Sequence, residues 1–160
     1  MCWVSRFLGV GVKGFPEPPQ SKVEISAPEV SDLLLPYGLT PVGVGNWYNS
    51  LMTKDEANRF LKWYQRNAPI KPGDYTPDDL DCDAFAWVMR AYALMWSKGS
   101  YLWGYTEAEG ADPEYPFPNH GFCFVILDDK TVWYADALNV AAPDDEIMEA
   151  YLVRSHCVKC

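Results

Sequence analysis

Thirteen prolines and eleven glycines punctuate this chain of 160 residues, and most fall in three stretches: residues 14 to 45, 69 to 77 and 110 to 121. Proline fixes φ and lacks an amide donor, and glycine loses the most conformational freedom on ordering. These stretches are therefore read as loops, with the regular elements between them. The first, carrying Pro16, Pro18, Pro19, Pro28, Pro36 and Pro41, is expected to be an extended arm with short strands such as Lys22 to Ile25. With no internal repeat and no low-complexity linker, the chain reads as a single domain over 1–160, an extended N-terminal arm at 1–50 and a core at 51–160. A chain of this length buries roughly 70% of the surface that it exposes when unfolded, enough for a core without staples.

Thr53-Lys54-Asp55-Glu56 has the form of a capping box, in which hydroxyl and carboxylate satisfy two orphan amides at a helix start. Ala57, Phe60, Leu61 and Tyr64 follow as one apolar stripe, which predicts a helix from Lys54 to Arg66. A second helix is predicted from Cys82 to Trp96. Its apolar residues run nearly all the way round, so it is expected to be the buried central helix. Its start is open: Thr76-Pro77-Asp78-Asp79 carries one set of capping signals and Asp81 another. Beyond the proline-rich loop, Phe122 to Leu127 and Thr131 to Ala135 flank Asp128-Asp129-Lys130 as a β-hairpin. A last helix is expected over Asp144 to Tyr151. Helices followed by a hairpin give an α+β fold, a central helix packed on a small antiparallel sheet.

Thirteen Lys and Arg against twenty-two Asp and Glu leave a formal charge of −9 and a pI near 4.6, the wrong sign for binding phosphate backbones. Nucleic acid is not an expected partner. The longest apolar stretch, Ala84 to Trp96, is interrupted by Arg90 and falls short of the about 20 residues that a membrane helix needs. No membrane association is expected. Cys2, Cys82, Cys123, Cys157 and Cys160 are odd in number, and the first residues lack a basic leader and small-residue cleavage site. Free thiols in a reducing, cytoplasmic compartment fit these features.

Cys82 opens the most apolar helix, where the positive end of the helix dipole favours thiolate, while Asp81 and Asp83 oppose it. A nucleophile there needs a basic partner. His120 immediately precedes the first hairpin strand and Asp136 ends the return strand. Side chains alternate along a strand with period two, so a three-residue turn at Asp128 to Lys130 puts positions 120 and 136 on one face as diagonal neighbours. A two-residue turn puts them on opposite faces. The roles that follow are nucleophile for Cys82, general base and acid for His120, and orienting carboxylate for Asp136. Cys123, of opposite parity to His120, is expected in the core.

Asp81-Cys82-Asp83-Ala84-Phe85-Ala86, then His120 heading an apolar strand, then Asp136 after Trp133-Tyr134, resembles the transglutaminase-like branch of the papain-like cysteine peptidase superfamily. The resemblance covers residues 81 to 139. It implies a papain-like fold and acyl transfer on amide bonds: peptide hydrolysis, amidase chemistry or cross-linking of a protein or peptide substrate. Gly121-Phe122 stands where that family often has Ala-Trp, and Ala137 where it has Pro. The backbone amide of Cys82 is the natural first oxyanion donor, and Trp47, Tyr75 and Gln65 are candidates for a second.

Trp47, Trp103, Tyr105 and Tyr115 are candidate substrate-binding residues. Tyr101, Trp103, Tyr105, Tyr115 and Phe117 cluster in the loop before His120, where they form either one wall of a cleft or a shield over the core. No cofactor is required by this chemistry. The Cys157 and Cys160 pair supplies two of the four ligands of a structural zinc, with His156 or Cys2 to complete the set, and otherwise stays a reduced tail. The alternative to an enzyme is a non-catalytic binding or inhibitor protein on the same fold, using the aromatic cleft or the acidic surface.

Overall fold

A computed structural model describes residues 14–37, 47–76, 80–108, 120–137 and 148–149. Strand β1 (Val23–Ser26) runs into helix α1 (Ala27–Leu34); β2 (Tyr48–Leu51) precedes α2 (Lys54–Asn67); α3 spans Cys82–Trp96. Strands β3 (Trp103–Ala108), β4 (His120–Ile126), β5 (Val132–Ala135) and β6 (Met148–Glu149) form an antiparallel sheet in that order, and β1 pairs with β2. The fold is α+β.

At α2 the capping box forms as its sequence requires: Glu56 N donates to Thr53 Oγ1 (3.2 Å) and Thr53 N to Glu56 Oε2 (2.8 Å). The stripe Ala57, Phe60, Leu61 and Tyr64 is buried. The helix ends one residue beyond the expected Arg66, where Pro69 holds Ala68 in extended backbone (ψ 135°). Of the two candidate starts for α3, Asp81 is the cap, its Oδ1 accepting from Ala84 N at 3.1 Å. The helix is not buried all round. Phe85, Met89, Ala93 and Trp96 face the core, while Trp87 and Met95 are 45% and 52% exposed.

Strand β4 has a core on each face. Cys123 and Val125 pack with α2 and α3 around Phe60, Tyr64, Phe85 and Met89. Phe122, Phe124 and Ile126 pack on the other side with Ile25, Val30, Leu34 and Leu51 of the β1–β2–α1 unit. Covering on both faces explains why the strand reads as a continuous apolar run without alternation. The hairpin turn has three residues: Lys130 N donates to Leu127 O (2.8 Å), Leu127 N to Thr131 O (2.9 Å), and Lys130 takes a positive φ of 66°. The register Cys123↔Ala135 to Ile126↔Val132 follows from it.

Three expectations are corrected. The N-terminal arm is extended only in part, because Ser26-Ala27-Pro28-Glu29 is a second capping box with proline in the first helical turn, and it starts α1. Residues 14–22 do run without regular structure along the core: Trp63 Nε1 donates to Gly14 O, Trp96 Nε1 to Pro16 O and Tyr101 OH to Ser21 O. The residues after Leu102 form strand β3 and not a loop; a Cβ at Gly104 would overlap the Phe124 ring across the ladder. Where a final helix was expected, Met148 and Glu149 pair with Tyr134 and Trp133 at the outer edge of β5. The rest of that segment lies outside the described residues. No helix among the described residues is long and apolar enough to cross a membrane.

Candidate active site

Cys82 occupies the first turn of α3, half-buried, against the first residues of β4. Gly121 N donates to Cys82 Sγ at 3.3 Å, and the thiol in turn faces Asp83 Oδ1 at 3.6 Å. The thiol therefore touches the backbone of the residue that follows His120, across 39 residues of sequence. Glycine is needed at this crossing: a Cβ on Gly121 would overlap Asp83 Oδ1 and lie 3.0 Å from Asp83 Cα. Asp83 after the cysteine and Gly121 after the histidine are thus fitted to each other.

Electrostatically, the described surroundings do not activate the thiol. Burial pushes the Cys82 thiol above its ordinary value; the Gly121 amide acts against this, and the Asp83 and Asp81 carboxylates reinforce it. The Gly121 amide is outweighed, so the described surroundings favour the thiol and a basic partner is needed to favour the thiolate, as the flanking aspartates had indicated.

The backbone condition for that base is met. The three-residue turn fixes a register in which positions 120 and 136 have the same parity, two pairs apart along the hairpin. His120 opens β4 opposite Ala108 of β3, and Asp136 directly follows β5. Asp136 is buried, with 6% of its surface exposed. Cys123, as expected, is core: it is buried completely, its Sγ donates to Ala86 O at 3.2 Å, and burial pushes its thiol up to about 12.

The aromatic candidates separate. Trp103 is 2% exposed and packs on Phe60 with ring centroids 5.3 Å apart, and Tyr105 is 7% exposed beneath Trp87 at 4.7 Å. Burial in the core removes Trp103 and Tyr105 from the wall of an open cleft. The strand alternation of Trp103-Gly104-Tyr105 was the signal for this. Trp47 is 77% exposed and leads into β2, in the layer across the sheet from α3. Tyr75, exposed, is brought to the entrance of α3 by the paired Thr76 and Leu80, whose amides and carbonyls bond reciprocally (3.0 and 3.1 Å). Gln65 lies near the end of α2. Tyr115, Cys2, His156, Cys157 and Cys160 lie outside the described residues. Among the described residues no group of three or more His, Cys, Asp or Glu is arranged to hold a metal ion.

No family model matches the sequence, and no curated protein matches it. The fold is similar to a solved structure described as a PSL1a–E64 complex, with a TM-score of 0.55 and 14% identity over 79% of this chain. The chain spans 50% of the length of that protein. At this identity the likeness is one of fold.

Proposed function

We propose that this chain is a thiol enzyme that transfers acyl groups from amide bonds, of the transglutaminase-like branch of the papain-like cysteine peptidases. The observation that carries the reading is the Gly121 amide on Cys82 Sγ, which sets the thiol beside the backbone of His120. The hairpin register, with positions 120 and 136 of one parity, supports it. The fold neighbour PSL1a was solved with E64, a cysteine protease inhibitor, which accords with this reading.

In this mechanism His120 takes the proton of Cys82 as Sγ attacks the carbonyl carbon of the amide. The oxyanion forms at the helix start, where the Cys82 amide is the first donor. The C–N bond then breaks as His120 returns the proton to the leaving amine, giving a thioester. Water or a second amine, activated by the same imidazole, releases the acyl group. Asp136 holds the imidazole in its tautomer. The substrate class is protein or peptide, and a reducing cytoplasmic compartment suits the reduced thiols of Cys82 and Cys123.

The test is to trap the thioester. Incubation with an activated acetyl ester, quenching in acid and peptide mapping should find the acetyl group on Cys82, with the burst lost in His120→Ala. Acetylation of other residues only, or an unchanged burst in the variant, contradicts the reading. A second reading has its own observation, the thiol facing Asp83 and held above its ordinary pKa: a non-catalytic binding protein, for which no thioester accumulates.

A further inference from the structure

Away from Cys82, a groove of about 550 Å³ runs along α2, lined by Pro16, Asn58, Arg59, Lys62, Trp63 and Arg66 among others. Arg59, Lys62 and Arg66 recur at spacings of three and four and so share one side of the helix. In a chain of net charge −9 with thirteen basic residues, three of them line this one groove. Trp63 is anchored from behind, its ring 4.7 Å from that of Phe15 and its Nε1 bonded to Gly14 O, so the groove has a fixed aromatic flank.

The cations are not used up by the fold. Arg59 Nη1 lies 3.6 Å from Glu17 Oε2, an exposed pair of little strength, and Arg59 Nε is buried with no hydrogen-bond partner. The Arg59 side chain as a whole is 40% exposed, so the accessible part of its guanidinium can donate to an incoming oxyanion. Among the described residues Lys62 and Arg66 make no ion pair, and both side chains are exposed. Asp55, also at the groove, and Glu17 limit how much negative charge it holds.

We propose that this groove binds a small oxyanion-bearing ligand, whose phosphate or carboxylate groups are taken by Arg59, Lys62 and Arg66. Its volume lies within the range of small-molecule sites. The charge of the remaining molecule disfavours an extended polyanion such as nucleic acid, whose further phosphates would run over an acidic surface. A compact ligand escapes that repulsion.

The experiment is isothermal titration of the full chain, with pyrophosphate and citrate as probes, at low and at physiological salt. The expected result is saturable binding of at least one probe, weakened about tenfold by Arg66→Ala or Lys62→Gln. These exposed substitutions leave the fold intact, which the melting temperature checks, while Lys130→Gln at the hairpin turn leaves affinity unchanged. Binding of pyrophosphate alone assigns a phosphate ligand, and of citrate alone a carboxylate ligand. The absence of saturable binding by both, or affinity indifferent to Lys62 and Arg66, overturns the proposal. None of these readouts involves Cys82, so the outcome is separate from that of the acyl-transfer reading.

Discussion

The starts of α2 and α3 are built from the same parts and finished differently. At α2 the cap Thr53 is answered by Glu56, which accepts from Thr53 N and reaches back to the amide of Gln20, closing the helix start and strapping the N-terminal arm to it. At α3 the cap Asp81 accepts from Ala84 N, but the position corresponding to Glu56 is Ala84 itself. Its first turn instead carries a thiol and a carboxylate, Cys82 and Asp83, turned towards β4. The closed start uses its polar groups for stability. The open one leaves a thiol that its described surroundings position but do not activate.

Breaking the closed start should have the largest effect on stability. Glu56→Ala leaves the amides of Thr53 and Gln20 short of an acceptor and should cost about 3 kcal/mol, which for a chain of this size lowers the melting temperature by about 6–12 °C. Thermal unfolding followed by circular dichroism measures it; a shift below about 2 °C would show that the box is ornamental.

At the open start the sensitive position is the crossing. Gly121→Ala sets a methyl group where Asp83 Oδ1 lies and should cost about 2 kcal/mol, roughly 4–8 °C. Unlike Glu56→Ala, it should also change the reactivity of Cys82, since it shifts Gly121 and Asp83, which both touch the thiol. Stability lost with reactivity kept would mean that the crossing is packing and nothing more.

A smaller effect separates the two starts by pH. Burial alone would raise the Glu56 carboxyl, but the hydrogen bonds from Gln20 and Thr53 outweigh it and hold the group below its ordinary 4.5. A depressed carboxyl stabilises the fold above its unfolded pKa, and this contribution is lost as pH falls through the folded value. The difference in melting temperature between the native chain and Glu56→Gln should therefore be constant above about pH 5 and narrow below 4.5. A difference that stays constant to about pH 3 would contradict the assignment.

How much of this was legible in the sequence follows the range of the interactions. The box at Thr53, the stripe on α2, the end of α3 and the hairpin around Asp128 to Lys130 depend on neighbours within a few residues, and these were readable, while the choice between two starts for α3 and between two lengths of turn stayed open. Helix α1 was also written locally, in Ser26 and Glu29, but Pro28 drew that segment into the surrounding proline-rich loop, although proline is at home in a first helical turn. Strands β3 and β6 owe their state to β4 and β5, and short apolar segments do not declare such pairing alone. The contact between Cys82 and Gly121 joins residues 39 apart. No periodicity reaches that far, and only the resemblance in order and spacing of Cys82, His120 and Asp136 pointed to it.

The central claim is that His120 supplies the activation that the described surroundings of Cys82 withhold. The direct measurement is the rate of Cys82 alkylation by iodoacetamide against pH in the native chain and in His120→Ala, with the adduct located by peptide mapping. The account predicts a native rate plateau reaching well below the free-thiol pKa of about 8.5. In the variant the profile should move above that value, because burial and the two aspartates then act unopposed by an imidazole. Slow alkylation with the same profile in both proteins would contradict it.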